Sequence, residues 1–492
     1  MKKGNTNLKN VLEIKKKPII SRVSDRKKTI NKIKPNIALG TLDEHLESKL
    51  LSSVSNFYRV KAASLYLYMY HLLSNNVMSD NRFNNKYQIV RLYKKTGKVF
   101  DHGNIYFSLI KNGAKFLKRK VFIKELPIIN HDSYLDIIDE YRQIDPRYPS
   151  FFGSKLNSHL YDFSNPSYID IFCHYLCSRL VEENILPNFP LFYGSVNTYF
   201  DKFTYKFGEN DEYERFMSRM NWTFKTDDYR IINKEDCNKL EMFGAPVCLM
   251  ATELLDYDLA EFVETTNLAY HELDPSTFDK ADYEKTILSV LFQTICALTV
   301  IQEKWNMIHN DLHLGNIMFR RTDQEFINYQ HKNQFFRVPT HGMIVKIIDW
   351  NRATLNYEGI EIKNKVYEVD SDCGSMYFWP TSSNTKKPTV LPNPSFDLCL
   401  LAFEILREDS ILGDKSKTHK LLMDWLNMDD GGNVYNELGK DEEDPGFELY
   451  IAIAQCCHKA VPNQQFGRAI WNNFKVDKSR IPKDEKIYIV SD

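Results

Sequence analysis

Residues 283–304 are apolar nearly all the way round a helix. A helix with no polar face is stable only where it is covered on every side, so it demands a large core built around it. At 492 residues the chain can supply one, as two or three domains or as one large bilobal unit. No uninterrupted apolar run approaches 18 residues, so a buried core helix is expected and a membrane span is not. Hydrophobic residues make up 43% and charged residues 26% of the chain, ordinary values for a globular protein. The balance of 64 Lys and Arg against 65 Asp and Glu excludes a bulk polyanion binder and leaves room for local basic segments.

Strand patterns come first and helix patterns after. That order predicts an α+β protein of two lobes, the first β-rich and the second mainly α-helical. Residues 1–40 are read as a disordered basic arm, because residues 1–35 hold 12 Lys and Arg against Glu13 and Asp25 and few apolar side chains. The arm is either a solvated tail or a contact for an import factor, nucleic acid or anionic lipid. No apolar segment of the secretory kind follows its charges.

Thr41-Leu42-Asp43-Glu44 is a capping-box pattern that opens a helical extension over 41–85, with helices to about 55 and over 60–73. A β-rich unit with insertions is expected over 86–258. Its strands are read at 87–93, 105–110, 115–126, 189–193 and 246–254. Gly97 and Gly103 bracket a loop, and Asn112-Gly113 turns a hairpin. A long polar connection over 130–166, a helix over 168–182 and a charged insertion over 200–240 complete the unit. The helical unit and a C-terminal extension take 259–492, with further helices at 396–407, 417–427 and 447–459. Nine cysteines without a CxxC pair sit mostly in apolar runs and read as buried thiols of a reducing, intracellular compartment.

The apolar helix is followed by Ile308-His309-Asn310-Asp311-Leu312-His313-Leu314-Gly315-Asn316 and then a short apolar strand. An acid and an amide five positions apart on one loop can divide two tasks. The carboxylate orients and deprotonates a hydroxyl, and the amide oxygen ligates a metal beside phosphates. Downstream, Ile344-Val345-Lys346-Ile347-Ile348-Asp349-Trp350-Asn351 ends a strand in an acid. A hairpin of 317–319 with 344–348 would bring Asp349 beside Asn316, a pair of hard oxygen ligands for a divalent cation.

These two motifs, in this order, resemble the catalytic loop and the Asp-Phe-Gly metal motif of the protein-kinase-like superfamily. The resemblance covers about residues 86–410. It implies a bilobal kinase-like fold and an ATP-dependent phosphotransferase that uses Mg²⁺ or Mn²⁺. It assigns Asp311 to accept the proton of the acceptor hydroxyl, Asn316 and Asp349 to the metal, and His313 to a place near the γ-phosphate. Val121-Phe122-Ile123-Lys124 resembles the upstream lysine motif, so Lys124 would pair with the α and β phosphates. Gly103 is taken as the first glycine of a phosphate loop in which Ile105 and Ser108 replace the other two. No Glu fits the helix acid that holds the lysine, and Asp170 is the best placed substitute. Residues 249–255 resemble the strand that enters the adenine hinge. Ala251 or Thr252 would then stand at the back of the pocket, Glu253 would join the cofactor-binding residues, and Asp258 would reach the ribose. Asp397, inside an apolar helix, would anchor the catalytic loop through its backbone N–H groups.

The departures also inform. Asn310 replaces the arginine that usually pairs with a phosphorylated activation segment, although Arg320, Arg321 or Arg352 is available to stand in. His313 stands where protein kinases usually carry Lys, a start shared with aminoglycoside and choline kinases and with some divergent protein kinases. Asn351 replaces a glycine, no Ala-Pro-Glu follows, and residues 321–343 lengthen the link between the two motifs with room for an extra hairpin. This arrangement, with its Asn, Lys and Ile bias, is similar to the divergent Ser/Thr protein kinases of giant DNA viruses. The first reading is therefore a Ser/Thr protein kinase acting on protein substrates. The others are a small-molecule phosphotransferase and a non-catalytic kinase-like scaffold or virion component. The host cytoplasm, the virion or the nucleus is the expected location.

Overall fold

The computed structural model describes residues 44–64, 83–100, 103–129, 160–207, 210–219, 229–234, 237–272, 278–379, 389–439 and 445–491, apart from 161, 369–370 and 372. Helix α1 (Glu44–Phe57) follows the capping pattern. Leu92 donates its backbone N–H to the Ser53 hydroxyl at 3.0 Å, which fastens this helix to the sheet behind it. The sequence predicts a second helix over 60–73, but Val60–Ser64 forms strand β1, paired antiparallel with residues 197–200. A sheet edge contributed from far along the chain overrides the local preference. The rest of that expected helix, from 65 on, lies outside the described residues.

Strands β2 (Tyr87–Phe100), β3 (Gly103–Asn112) and β4 (Lys115–Pro127) form a meander. Strand β2 runs through Gly97, so the expected glycine-bracketed loop shrinks to 101–102, outside the described residues. Asn112 closes β3 opposite Lys115, and Gly113 turns the hairpin at φ +57°, a conformation that glycine adopts without strain. The long connection over 130–159 also lies outside the described residues. Helix α2 (Pro166–Glu182) is capped by the Asn165 side chain and buries Ile169, Phe172, Cys173 and Leu176 completely. Next come β5 (Phe192–Lys206), α3 (Asn210–Arg219), β6 (Tyr229–Lys234) and β7 (Cys237–Glu253). The charged stretch over 200–240 prolongs the β5–β7 hairpin, which shifts register once after Phe192 and then keeps it from Gly194↔Ala251 to Lys206↔Lys239. The sheet order is β1-β5-β7-β4-β3-β2, with β6 on β7.

The second lobe begins with β8 (Tyr257–Asp258), α4 (Leu259–Glu272) and α5 (Lys280–Trp305). By length and composition α5 is able to cross a membrane, which corrects the run-length reading, but 83% of its most apolar window is buried in the fold. Strands β9 (Ile317–Arg321), β10 (Phe326–His331), β11 (Gln334–Pro339) and β12 (Met343–Ile347) follow. The β9–β12 pair is the expected metal-site hairpin, and β10–β11 is the expected extra one. Beyond lie β13 (Leu355–Tyr357), β14 (Ile360–Ile362), α6 (Phe396–Glu408), α7 (Lys417–Trp425), α8 (Val434–Leu438) and α9 (Phe447–Cys456). Strands β15 (Lys475–Val476) and β16 (Ile487–Ser491) return to the inserted hairpin and make a four-stranded sheet, β15-β11-β10-β16. That sheet covers α5 through Phe292, which packs against Phe336, Phe466 and Trp471.

The result is an α+β bilobal kinase-like fold, with a curled antiparallel sheet above and helices below. Eight cysteines, from Cys173 to Cys457, are buried free thiols.

Candidate active site

Three distant segments meet at Lys124. Its Nζ lies 2.9 Å from Asp170 Oδ2 on α2 and 2.7 Å from Asp349 Oδ1, just past β12. Asp170 is fully buried, and its other oxygen accepts the Trp350 backbone N–H at 2.7 Å. One turn along α2, His174 Nδ1 lies 3.0 Å from the same Oδ1. The short acid therefore holds both the lysine and the backbone that follows Asp349. Burial works against both charges, but each partner outweighs it. The two carboxylates raise the Lys124 pKa, and Lys124 and His174 hold Asp170 well below the usual carboxylate range.

Asp349 adopts a left-handed backbone at φ +64°, a conformation that Asp and Asn tolerate better than most side chains. The Ile348 N–H donates to the Asn316 carbonyl at 3.1 Å, which sets the two metal motifs side by side. The loop itself hangs on Asp397. That buried carboxylate accepts the His309 N–H at 3.0 Å and the Asn310 N–H at 2.9 Å. His309 donates from Nε2 to the Ile348 carbonyl at 2.7 Å, and burial pushes its pKa down, so the ring is a neutral tie between loop and strand. Asn316 Nδ2 donates to the Asp311 carbonyl at 2.8 Å, leaving its amide oxygen for a ligand.

Two groups that sequence reasoning did not place at the site hold Asp311. Its Oδ1 accepts from Arg352 Nη1 at 3.0 Å and from the Tyr450 hydroxyl at 2.7 Å. The guanidinium also sits 5.3 Å above the Tyr450 ring. Arg352 lies three residues past Asp349 and was legible only as a spare cation. Tyr450 comes from α9, and nothing in its local sequence announces it.

Known proteins point the same way. No model of a known protein family matches the chain. Part of it is similar to the serine/threonine-protein kinase haspin of Mus musculus, at 32% identity over 77 residues, 16% of this chain and 10% of haspin. A protein of Acanthamoeba polyphaga mimivirus, named as a serine/threonine-protein kinase, is 30% identical over 95 residues, 18% of this chain and 23% of its own. The haspin homolog of Drosophila melanogaster is 25% identical over 145 residues, 28% of this chain and 26% of its own. These partial matches support a protein-kinase-like relationship. The chain spans between a tenth and about a quarter of the length of these curated relatives.

Other residues read from the sequence have partners within the protein. His313 is braced within the loop, where its Nδ1 accepts the Gly315 N–H at 3.1 Å and its Nε2 lies 3.0 Å from the Asn316 amide nitrogen. Gly103 opens β3 directly opposite Lys124, next to residues 101–102 that lie outside the described ones. A Cβ there would fall 2.3 Å from the Ile123 carbonyl oxygen and 2.6 Å from the Phe122 ring, so close strand approach demands the glycine. Glu253 links the two lobes. Its carboxylate accepts the Leu191 N–H at 3.2 Å and lies 3.5 Å from buried Lys346, while its own N–H donates to the Leu191 carbonyl at 2.8 Å. That amide is therefore committed within the protein. Asp258 caps α4 by accepting the Glu261 N–H at 2.8 Å. Ala251 and Thr252 lie buried in β7, paired with Ile123 and Phe122. The geometry thus gathers Lys124, Asp170, Asp349, Asn316, Asp311 and His313, and gives Gly103, Glu253 and Asp258 structural partners.

Proposed function

We propose that this protein is an ATP-dependent phosphotransferase, a divergent Ser/Thr protein kinase that moves the γ-phosphate to a protein hydroxyl. The observation that carries the reading is Lys124 held between Asp170 and Asp349, with Asn316 and Asp311 on the adjoining loop. Transfer of this kind needs mainly positioning and charge neutralisation. The Asn316 amide oxygen and the Asp349 carboxylate are hard donors that fit Mg²⁺ or Mn²⁺, and such a cation supplies neutralisation of the triphosphate charge. Lys124 binds α and β phosphate oxygens while Asp170 keeps its ammonium in place. Asp311 orients the acceptor hydroxyl and takes its proton. Because Arg352 and Tyr450 both occupy Oδ1, Oδ2 is the oxygen left for that proton. His313, locked beside Asn316, fixes the loop around the metal ligand.

Incubation with γ-phosphate-labelled ATP, Mg²⁺ or Mn²⁺ and general protein acceptors tests the reading. Label should reach Ser or Thr, and Asp311→Asn should remove it. Label that reaches only small-molecule hydroxyls would move the assignment to the small-molecule class. Thermal stabilisation by ATP without transfer to any acceptor would leave a nucleotide-binding scaffold.

A further inference from the structure

We propose that the open face of β2–β4 beyond the nucleotide cleft binds single-stranded nucleic acid, independently of the phosphotransfer reading. The charge is concentrated there. Residues 87–124 contain ten Lys or Arg and one acid, Asp101, in a chain whose net charge is −1. Strand register sorts these residues by face. Lys94, Phe107 and Lys120 stand in one cross-strand row, and Arg91, Leu109 and Lys118 in the next. Lys111 and Phe116 form a third. Paired residues share a face and alternate with the buried side, where Tyr106, Ser108 and Ile110 are at most 1% exposed.

The outer rows therefore carry five cations and no carboxylate, with Phe107 42% and Phe116 50% exposed. Tyr93, at a register shift in β2, is 41% exposed with the Arg91 guanidinium 5.0 Å from its ring. Lys120 lies 5.4 Å from the Phe107 ring. Three of the four exposed aromatic rings among the described residues thus lie on this one meander.

A solvated charged surface has no need of exposed rings. Exposed rings among cations at strand spacing offer what unpaired bases and their phosphates require, stacking on the ring and charge beside it. Phe107 and Phe116 are four residues apart along the strands and one strand over, about 14 Å, a span of a few nucleotides. The face continues through Phe122 to Lys124, so a bound strand would run toward the cleft mouth. A duplex keeps its bases paired and stacked and cannot use the rings, and an acidic peptide needs the charges alone.

The test is fluorescence anisotropy of the full chain with a fluorescein-labelled 12-nucleotide oligothymidylate across a salt series. Five phosphate contacts predict a slope of log affinity against log salt of about −3.5. Phe107→Ala or Phe116→Ala should each weaken binding by about fivefold to about 150-fold and leave that slope unchanged. Lys94→Glu with Lys118→Glu and Lys120→Glu should abolish binding. All these side chains are exposed, so unchanged circular dichroism and melting temperature would show that the variants are folded. Three outcomes would overturn the proposal: indifference to both ring substitutions with equal competition by heparin or duplex DNA; binding that survives the charge reversals, which would place it on residues 1–35; and preference for phosphatidylserine vesicles over the oligonucleotide.

Discussion

The two walls of the cleft are held by different forces. Below, Asp397 fixes the catalytic loop through two backbone N–H groups, and neutral His309 ties that loop to the strand before Asp349. Above, Lys124 is fixed by two carboxylates, one of them wholly buried. The lower wall is a web of directed hydrogen bonds, mostly to backbone, with an ion pair, Arg352 on Asp311. The upper wall rests on charge brought together across 46 and 225 residues. The upper wall should therefore fail when one charge is removed, and the lower wall when a side chain that holds the loop backbone is removed.

The sharpest separation of the walls comes from Asp311→Asn. It keeps the shape of the loop and removes the proton acceptor, so transfer should fall about 10²–10⁴-fold while ATP still raises the melting temperature. Unchanged turnover would leave Asp311 without its role.

Next is Asp170→Ala, which leaves Lys124 with Asp349 alone and strands the Trp350 N–H. Breaking a buried pair from one side costs about 3–5 kcal/mol, to be read by chemical denaturation. Its pH dependence carries a sign. Asp170, with its pKa lowered in the fold, contributes stability above its unfolded value of about 3.9 and loses it as pH falls further. Lys124, with its pKa raised, contributes below its unfolded value of about 10.4 and loses it as pH rises through the folded one. The difference between wild type and variant should therefore be flat from about pH 8 to pH 9, above the ordinary histidine range and below that of Lys. A slope inside that window would mean that another group controls the upper wall.

Asp349→Ala should erase the part of ATP stabilisation that depends on Mg²⁺, worth about 2.7 kcal/mol at a hundred times Kd. An identical thermal shift in the variant would contradict the metal assignment. Smaller again is Tyr450→Phe. A hydrogen bond to a charged group contributes about 1.5–3 kcal/mol, so losing this one should cost turnover roughly tenfold with little change in ATP affinity.

The smallest expected effect is none. The Tyr377 hydroxyl donates to Asn310 Oδ1 at 2.6 Å, and the Asn310 amide donates to the Arg352 carbonyl at 3.1 Å. The Tyr367 hydroxyl donates to that same carbonyl at 2.6 Å. The segment after Asp349 is thus pinned without a phosphate, and phosphatase treatment should leave most activity intact. A large loss, rescued by phosphorylation within 354–394, would show that a charge switch operates there after all.

The same contrast explains what was legible beforehand. The acid and amide of Asp311 and Asn316 are read locally, because five positions on one loop fix their separation. The β9–β12 hairpin and Asp397 follow from strand and helix periodicity close to the loop. Asp170 was legible only as the least unsuitable acid, because its closeness to Lys124 depends on where α2 docks under the sheet. Val60–Ser64 was misread because its partner residues lie at 197–200. Gly103 was read from spacing alone, and spacing does not show that a Cβ there would meet the Ile123 carbonyl and the Phe122 ring on β4. Tyr450 reaches Asp311 across 139 residues, beyond any pattern of period two or 3.6.

The sheet β15-β11-β10-β16 gives the molecule a timetable. Strand β10 lies between the two metal motifs, but the strand that covers its outer edge pairs in parallel, Asn328 with Ile487. Parallel pairing over so long a loop forms late, because the closure entropy is lost before any contact offsets it. As the chain emerges from the ribosome, β9–β12 can assemble while the insertion beside it still shows a bare edge. Until β16 arrives, that edge is a template for pairing with another chain. The nascent chain therefore carries an open strand edge after the β9–β12 hairpin has formed and before β16 is in place.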